Sequence, residues 1–543
     1  MAPRRRAPPP RGTMARTIDS RFAIAGFSVA CVVGLIGAFV GLDYKSMWID
    51  ELLTAGIVEP GGRPGTLFSR IASDLNSPLY SVTLALYSKV VGTSDSALRS
   101  FSALAACAAI LLFAFGTRRS FSLPARLFGA AMATGSFYWV VQSQNARNYA
   151  LALLIGSGIL VVSLALLAGD KDGDDDRLQS RRVFVLLTLC VVACFTHFYL
   201  VIAALSALFV LFLVRRRHRL LMVAGAFGVL LITAAYVGLF VVNFAKNELG
   251  NNWLQNNLDW YVGGIKGAAI LAFGKIGRMV LVLCVVVLLV RGAGWRHVAL
   301  GKFPYDPVTA LTAAVPLLVL IGGISSSLLI APNFTSRYLL ICAPFLWGLC
   351  ARLYDALQSD RLRAVRLGAN IALPVAVLAM ATIVMDRLRP STESMLWSEP
   401  FRLTADWISN LPECRDQIVP VLNTDSPSWF KPGYAEEIYE NAYGRYLKGH
   451  ARPRMIFSED LKALRLPQDV KADLRRRVDG EGCPVLLWGV HLVRLEDMEA
   501  ATKELALVID RQSLTEKSRI RTFQDGFQGY ILEMDRVSPA SPR

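Results

Sequence analysis

The chain has 543 residues, of which 54% are hydrophobic and only 18% charged, against about 25% charged in ordinary soluble proteins, and its mean hydropathy is +0.42. That balance excludes a soluble enzyme. The formal charge of +16 does not point to nucleic acid, because much of the excess sits in short Arg clusters between apolar runs, where it orients membrane segments.

Residues 1–21 open with an Arg- and Pro-rich stretch (MAPRRRAPPPRGTMAR) and are expected to form a disordered basic cytoplasmic tail. The run Phe22 to Leu42 is longer than a typical signal-peptide core, and no small-residue cleavage pattern follows it before Trp48, so it reads as a membrane anchor. Beyond it, basic residues recur in alternate loops: Arg118, Arg119 and Arg126; Lys171, Arg177, Arg181 and Arg182; Arg215 to Arg217 with Arg219; Arg291, Arg296 and Lys302; Arg352, Arg361, Arg363 and Arg366. These loops are expected on the cytoplasmic side. With about 20 apolar residues needed per crossing, the expected crossings are 22–42, 98–116, 125–141, 149–168, 183–196, 198–214, 220–242, 268–290, 308–330, 339–354 and 367–385. An odd number, about 11, puts the N-terminus in the cytoplasm and the tail outside. The segment 78–91 is short and carries Ser77, Ser81, Ser88 and Lys89 at or beside it; it reads as an interfacial helix in the first outer loop, 43–97.

The region 22–385 is thus expected to be a transmembrane domain, and 386–543 a soluble α/β domain beyond the membrane. In that tail, Ala405–Leu411, 435–447 and 496–510 have helical patterns, and Gln417–Leu422 and Val485–Val490 look like buried strands. Seven of the nine cysteines lie in apolar runs. The other two, Cys414 and Cys483, are the only cysteines of the tail, on the oxidising side, and a disulfide between them is expected. The tail's Tyr434, Glu436, Glu437, Tyr439, Tyr443 and Tyr446 read as an amphipathic helix on the domain's own core, with contact to a saccharide as the alternative.

The outer loops are nearly free of Lys and Arg, with Arg147, Lys246 and Arg337 as exceptions. Two lie beside aromatics, Tyr149 and Tyr338, and a guanidinium in that setting suits either a lipid-carrier phosphate or the headgroup layer. The first outer loop begins with Trp48-Ile49-Asp50-Glu51. Adjacent helical side chains point in different directions, so the two carboxylates would not share one task; one facing a dry cavity is a candidate general base, and the plainer reading is a helix-start acid paired with Lys45 or the helix dipole.

Several stretches resemble a known family, the polyprenyl-phosphate-sugar-dependent glycosyltransferases of the GT-C superfamily, in particular bacterial relatives of the protein O-mannosyltransferases and of the aminoarabinose and galacturonic acid lipid A transferases. The resemblance covers roughly residues 20–350. Trp48-Ile49-Asp50-Glu51 is similar to the W-x-D-E signature after the first helix, and Asp74-Leu75-Asn76-Ser77-Pro78-Leu79-Tyr80 to D-x-H-P-P-L-Y-Y, with Asn76, Ser77 and Ser81 departing from the pattern. Asp95 to Leu104, with Arg99, resembles the segment leading into the second helix. Gln144 to Tyr149 is similar to S-R-x-A-R-x-Y, Thr196-His197-Phe198-Tyr199 to T-H-Y-Y, and Ser336 to Leu340 followed by Pro344 to R-Y-L-L-x-x-x-P. Six motifs occur in order, and those of the site fall on the face that charge counting places outside.

The resemblance implies a GT-C fold with juxtamembrane helices, and an inverting transfer of a sugar from a polyprenyl-phosphate carrier to a hydroxyl of an envelope acceptor (lipid A, polysaccharide, glycolipid or protein) at the outer face of a bacterial inner membrane. It assigns Asp50 as base, with Glu51, Asp74, Tyr80, Arg147, Tyr149, His197, Lys275, Arg337 and Tyr338 as substrate-binding candidates. His197 reads either as a hydrogen-bonding residue at the cavity mouth or as a satisfied interfacial histidine; Lys275 and Arg278 are ionisable groups in an apolar stretch, functional by default unless the helix boundary is misplaced. No cofactor and no catalytic metal are expected, because the second outer loop, 142–147, has no carboxylate to complete an oxygen ligand set. The competing classes are a transporter or flippase and a non-catalytic binder of lipid-linked sugars. The sequence shows no repeated halves, and the candidate charges fall at the outer interface, which ranks a transporter below the enzyme.

Overall fold

The structure, a computed structural model, describes the chain except for residues 1–10, 173–174, 239–253, 291–305, 388–398, 426–433 and 536–543 and the single positions 61, 64, 73, 75, 361, 450 and 526. Lys246, Arg291, Arg296, Lys302 and Arg361 therefore lie outside the described residues, as do the side chains of Tyr434 and Glu437. The protein is a membrane helix bundle with a mixed α/β domain at its C-terminus. Among the described residues, seven helices are long and apolar enough to cross a membrane, and Arg21–Gly37 and Phe198–Val214 are shorter apolar helices.

In chain order, α1 is Arg11–Gly37, and three helices in the first loop follow: α2 (Ile49–Val58), α3 (Leu67–Ala72) and α4 (Pro78–Val91). Then come α5 (Asp95–Gly116), α6 (Leu123–Thr134), α7 (Phe137–Ser143), α8 (Tyr149–Asp172), α9 (Asp176–Cys194), α10 (Phe198–Val214) and α11 (Arg219–Tyr236). The later bundle helices are Leu258–Val290, Pro307–Leu329, Ser336–Leu339 continuing into Ala343–Gln358, and Arg363–Arg387. α4 has the bounds expected of the interfacial helix. It starts with Pro78 in its first turn and stops at Gly92, whose φ of +89° suits glycine.

Three boundaries differ from expectation. α1 begins at Arg11, inside the stretch expected to be disordered. The crossing expected at 125–141 is two helices: Gly135 ends α6, and the Ser136 hydroxyl accepts the Trp139 N–H at 3.1 Å to start α7. Apolar periodicity runs across that break, so only the capping serine marks it. The helix expected from 268 begins at Leu258 and is broken at Gly274, where φ is +57°.

The bundle closes around small residues. α1 lies between α6 and Arg363–Arg387, α5 packs along α8, α6 along Ala343–Gln358, and α10 along Pro307–Leu329. A Cβ on Gly34 would come within 2.4 Å of Thr134 Cβ, and one on Gly129 within 2.6 Å of the Trp347 carbonyl oxygen. Glycines there let backbones approach, as in other membrane helix interfaces where dispersion rather than water exclusion drives packing.

The C-terminal domain holds a five-stranded sheet of order β2-β1-β3-β5-β4, with β1 Ile418–Asn423, β2 Arg452–Phe457, β3 Val485–Gly489, β4 Ser518–Asp525 and β5 Phe527–Met534. β1 runs parallel to β2 and β3, and β5 is antiparallel to β3 and β4. β3 is wholly buried: Trp488 packs on Tyr443 and through it Phe401, while Leu486 joins a second core with Leu474 and Leu505. A central strand covered on both faces needs a continuous apolar run, which is why Val485–Val490 and the end of β1 were legible as strands. The more polar β2, β4 and β5 were not expected.

The domain sits on the first loop. Asp95, at the start of α5, accepts from Arg402 Nη2 at 2.5 Å, Arg445 Nη2 at 3.0 Å and the Tyr446 hydroxyl at 2.5 Å, and Arg445 also pairs with Glu59 and donates to the Thr93 carbonyl at 2.8 Å. Cys414 and Cys483 are joined by a disulfide that ties the ends of β1 and β3 across 69 residues of sequence. Closing a loop of that length in the unfolded chain contributes about 2–4 kcal/mol. The double substitution Cys414→Ser with Cys483→Ser is expected to lower the apparent melting temperature of the purified protein, and added reductant should reproduce the shift in the wild type but not in the variant.

Candidate functional site

The two adjacent acids at the start of α2 have opposite surroundings. Glu51 is fully buried. Its Oε1 accepts from Arg99 Nε at 2.9 Å and from the Ala146 N–H at 2.7 Å, and its Oε2 from Arg99 Nη2 at 2.6 Å. Arg99 spends its remaining donors on the carbonyls of Leu42, Lys45 and Ser46, at 2.8, 2.9 and 3.0 Å. All five guanidinium N–H groups are thereby used. Of the roles open to Glu51, holding a sugar hydroxyl, orienting a basic neighbour or serving as a structural acid, the geometry fits the second: with both oxygens taken and no surface, it holds Arg99 and fastens α2 to α5 and to the loop before α8 rather than facing a substrate.

Asp50 points the other way, as a residue 100° around a helix must. Its side chain is 27% exposed, and its Oδ2 lies 3.6 Å from Arg147 Nη2 and 3.7 Å from Arg337 Nη1. Both distances exceed hydrogen-bonding range, and among the described residues neither carboxylate oxygen of Asp50 accepts a hydrogen bond. Two guanidiniums thus flank the one Asp50 carboxylate.

Each arginine is held by several elements. Arg147, in the loop between α7 and α8, donates from Nη1 to the Asp50 carbonyl at 3.0 Å and the Thr54 hydroxyl at 3.2 Å, and from Nη2 to Asn76 Oδ1 at 3.2 Å. Its Nε is buried with no protein partner among the described residues. Burial opposes the charged form of Arg147, and the carboxylates of Asp50 and Asp74 outweigh it, so the group stays a cation. Asp74 lies beside it and accepts from the Asn76 amide at 3.1 Å. Asn76, a departure from the histidine of the resembled motif, here orients Arg147. Arg337, on the short helix Ser336–Leu339, stacks over the Trp48 ring at 5.3 Å, a cation–π contact that keeps its fork near Asp50.

Beneath the arginines lies an aromatic floor. The Tyr338 ring is 5.0 Å from His197, 6.2 Å from Tyr149 and 5.6 Å from Tyr199. His197 caps α10: its Nδ1 accepts the Tyr199 N–H at 3.1 Å, which leaves the ring proton on Nε2. Burial, then the charges of Arg147 and Arg337, lower its pKa to about 3. Tyr80 is buried and turned from the mouth; its hydroxyl donates to Ser102 at 2.8 Å, and Ser102 to the Arg147 carbonyl at 3.4 Å. Tyr80 therefore supports Arg147 rather than facing a substrate. Lys275 does not join the cluster. Gly267 abuts Ser336, and Lys275 is exposed about 12 Å farther along that helix, just past the break at Gly274. Arg278 donates back to the Gly274 carbonyl at 2.9 Å.

Sequence reasoning missed Thr54, Asn76, Tyr199 and the role of Trp48, which lie within or beside the motifs, and Glu399, which no local pattern marks. Among the described residues no group of three or more His, Cys, Asp and Glu side chains comes together that could hold a metal ion.

Two outcomes follow from this arrangement. Arg99→Ala strands a buried carboxylate and is expected to destabilise the protein by about 3–5 kcal/mol, whereas Asp50→Asn should leave thermal stability in detergent unchanged. The His197 imidazole is expected to stay neutral with its proton on Nε2 down to pH 5, read by 15N solid-state NMR with His197→Gln for assignment. Because its folded pKa lies below the ordinary 6.5, its contribution to stability is complete above pH 6.5 and falls as the pH drops toward about 3.

No protein-family model matches the chain, and no curated protein matches its sequence. Solved structures do. ArnT from Cupriavidus metallidurans aligns with a TM-score of 0.53 and 13% identity in the apo state, and 0.51 and 12% when bound to undecaprenyl phosphate. Both alignments cover 95% of this chain and 99% of that one. At such identity the shared property is the fold. The site-bearing first loop, the helix bundle and the C-terminal domain of this chain together have the GT-C fold.

Proposed function

We propose that this protein is an inverting glycosyltransferase that moves a sugar from a polyprenyl-phosphate carrier to an acceptor hydroxyl. The observation that carries the reading is Asp50, a part-exposed carboxylate with unfilled acceptor positions, bracketed by Arg147 and Arg337. Asp50 takes the acceptor's proton as its oxygen bonds to the anomeric carbon. The bond from that carbon to the carrier phosphate breaks, and its electron pair leaves on the phosphate oxygen. Departure turns a singly charged phosphodiester into a monoester with a further negative charge, and the two guanidiniums are already in place to meet it.

The likeness to an ArnT structure bound to undecaprenyl phosphate supports a polyprenyl phosphate as the carrier. The alternation of basic loops supports an active site at the outer face of a bacterial inner membrane, with the C-terminal domain in the periplasm. Its partners are then the lipid-linked donor, the bilayer and an envelope acceptor: lipid A, a polysaccharide, a glycolipid or a protein.

The test is mass spectrometry of lipid-linked sugars and envelope glycans from the wild type, a deletion strain and that strain carrying Asp50→Asn. The deletion should remove one sugar from one glycan and accumulate its lipid-linked donor. Asp50→Asn should not restore it, since a general base contributes about 10²- to 10⁴-fold. Full rescue by Asp50→Asn would overturn the reading in favour of a transporter or a silent binder. Arg337→Gln is expected to weaken undecaprenyl phosphate binding to the purified protein about tenfold or more, with unchanged melting temperature.

A further inference from the structure

The turn that presents Asp50 is closed from outside the membrane domain. α2 begins at Ile49, and the side chain of Trp48 before it makes no cap. The Ile49 N–H donates instead to Glu399 Oε2 at 2.8 Å, the Met47 N–H to the Tyr446 hydroxyl at 2.9 Å, and the Ser46 hydroxyl to the Glu399 carbonyl. Glu399 is 6% exposed and comes from the start of the C-terminal domain, 350 residues away in sequence from the N–H it caps. Its other oxygen, Oε1, is 2.7 Å from His491 Nδ1.

His491 follows β3, and its own N–H donates to the Tyr443 hydroxyl at 3.2 Å. Burial works against charge on His491, but the Glu399 carboxylate, then Asp425 and Asp50, outweigh it and raise its pKa. The contact between His491 Nδ1 and Oε1 keeps the Glu399 carboxylate turned toward α2. Tyr439, whose hydroxyl donates to Asp425 at 3.0 Å, lies with its ring 6.1 Å from that of His491. A carboxylate at a helix start both satisfies an orphan N–H and suits the helix dipole.

We propose that Glu399 is a positioning residue for Asp50: it caps, from the C-terminal domain, the helix that carries the base, and His491 holds it there. The inference rests on the reading of Asp50 as the base. It makes the C-terminal domain part of the transfer site rather than an appendage, because the geometry of the reacting carboxylate depends on a residue the membrane domain does not own. A displacement of the base by about 1 Å is enough to cost about 10²-fold in rate.

The experiment uses the full-length protein. Hydrogen exchange by mass spectrometry in nanodiscs reads the amides of residues 47–52, titration with undecaprenyl phosphate reads the anion side, and complementation of the deletion strain reads the glycan product. Glu399→Ala is expected to speed exchange of that peptide and cut product about tenfold or more, while undecaprenyl phosphate affinity stays within about twofold of wild type. Glu399→Gln, which keeps an acceptor for the Ile49 N–H, should recover most of the product, and His491→Leu should reproduce Glu399→Ala in weaker form.

Wild-type exchange and product in Glu399→Ala, with Asp50→Asn inactive, would overturn this inference and leave the proposed reaction standing. An Asp50→Asn variant as active as wild type would overturn both. If Glu399→Ala loses lipid binding altogether, as an unfolded protein would, His491→Leu decides: wild-type product there overturns the inference, and a loss of product with retained lipid binding upholds it.

Discussion

The structure depends on one buried ion pair. Glu51 has no solvent contact and would be costly to bury alone, so Arg99 must stand against it, and the remaining Arg99 donors must find carbonyls. Those carbonyls belong to Leu42, Lys45 and Ser46, the segment that leads from α1 into α2. The free oxygen position on Glu51 takes the Ala146 N–H, which precedes Arg147. One salt bridge therefore fixes the entry to α2, the first turn of α2 and the loop that supplies an arginine to the site. Asp50, the residue before Glu51, inherits its position from that clamp.

Around that point the charges divide by use. Glu51 is saturated and holds; Asp50 is unsaturated and faces out. Arg99 is saturated and holds; Arg147 keeps a buried Nε without a partner among the described residues, and it and Arg337 stand just beyond hydrogen-bonding range of Asp50. Five charged groups of two kinds lie close together in sequence or space, and among the two carboxylates the hydrogen-bond count separates scaffold from site. The aromatic floor of Tyr149, His197, Tyr199 and Tyr338 is uncharged, since burial and the nearby guanidiniums keep His197 neutral. It adds shape without competing for an anion.

The start of α5, which holds Glu51 through Arg99, also holds the C-terminal domain through Asp95, one turn earlier on the helix. Arg402, Arg445 and Tyr446 converge on that single carboxylate. Glu399 then reaches α2 from the domain so anchored. Membrane helices, first loop and soluble domain are in this way tied within a short stretch of α5, and the soluble domain's own disulfide and doubly covered β3 give that anchorage a stiff base.

Much of this was legible in the sequence. Apolar runs bounded by arginines gave the membrane helices because a bilayer demands length and hydrophobicity locally, and Pro78 and Gly92 bounded α4 through their own backbone preferences. The motifs around Asp50, Arg147, His197 and Arg337 were readable because the chemistry lies in the residue types. Sequence did not show which of Asp50 and Glu51 has its acceptors filled, turn Tyr80 onto Ser102, mark the break at Gly135, or join Glu399 to α2. Those were decided by the tertiary structure, for one physical reason: which carboxylate is filled and which is free depends on donors brought from 48 to 350 residues away, and no local pattern records where such partners arrive.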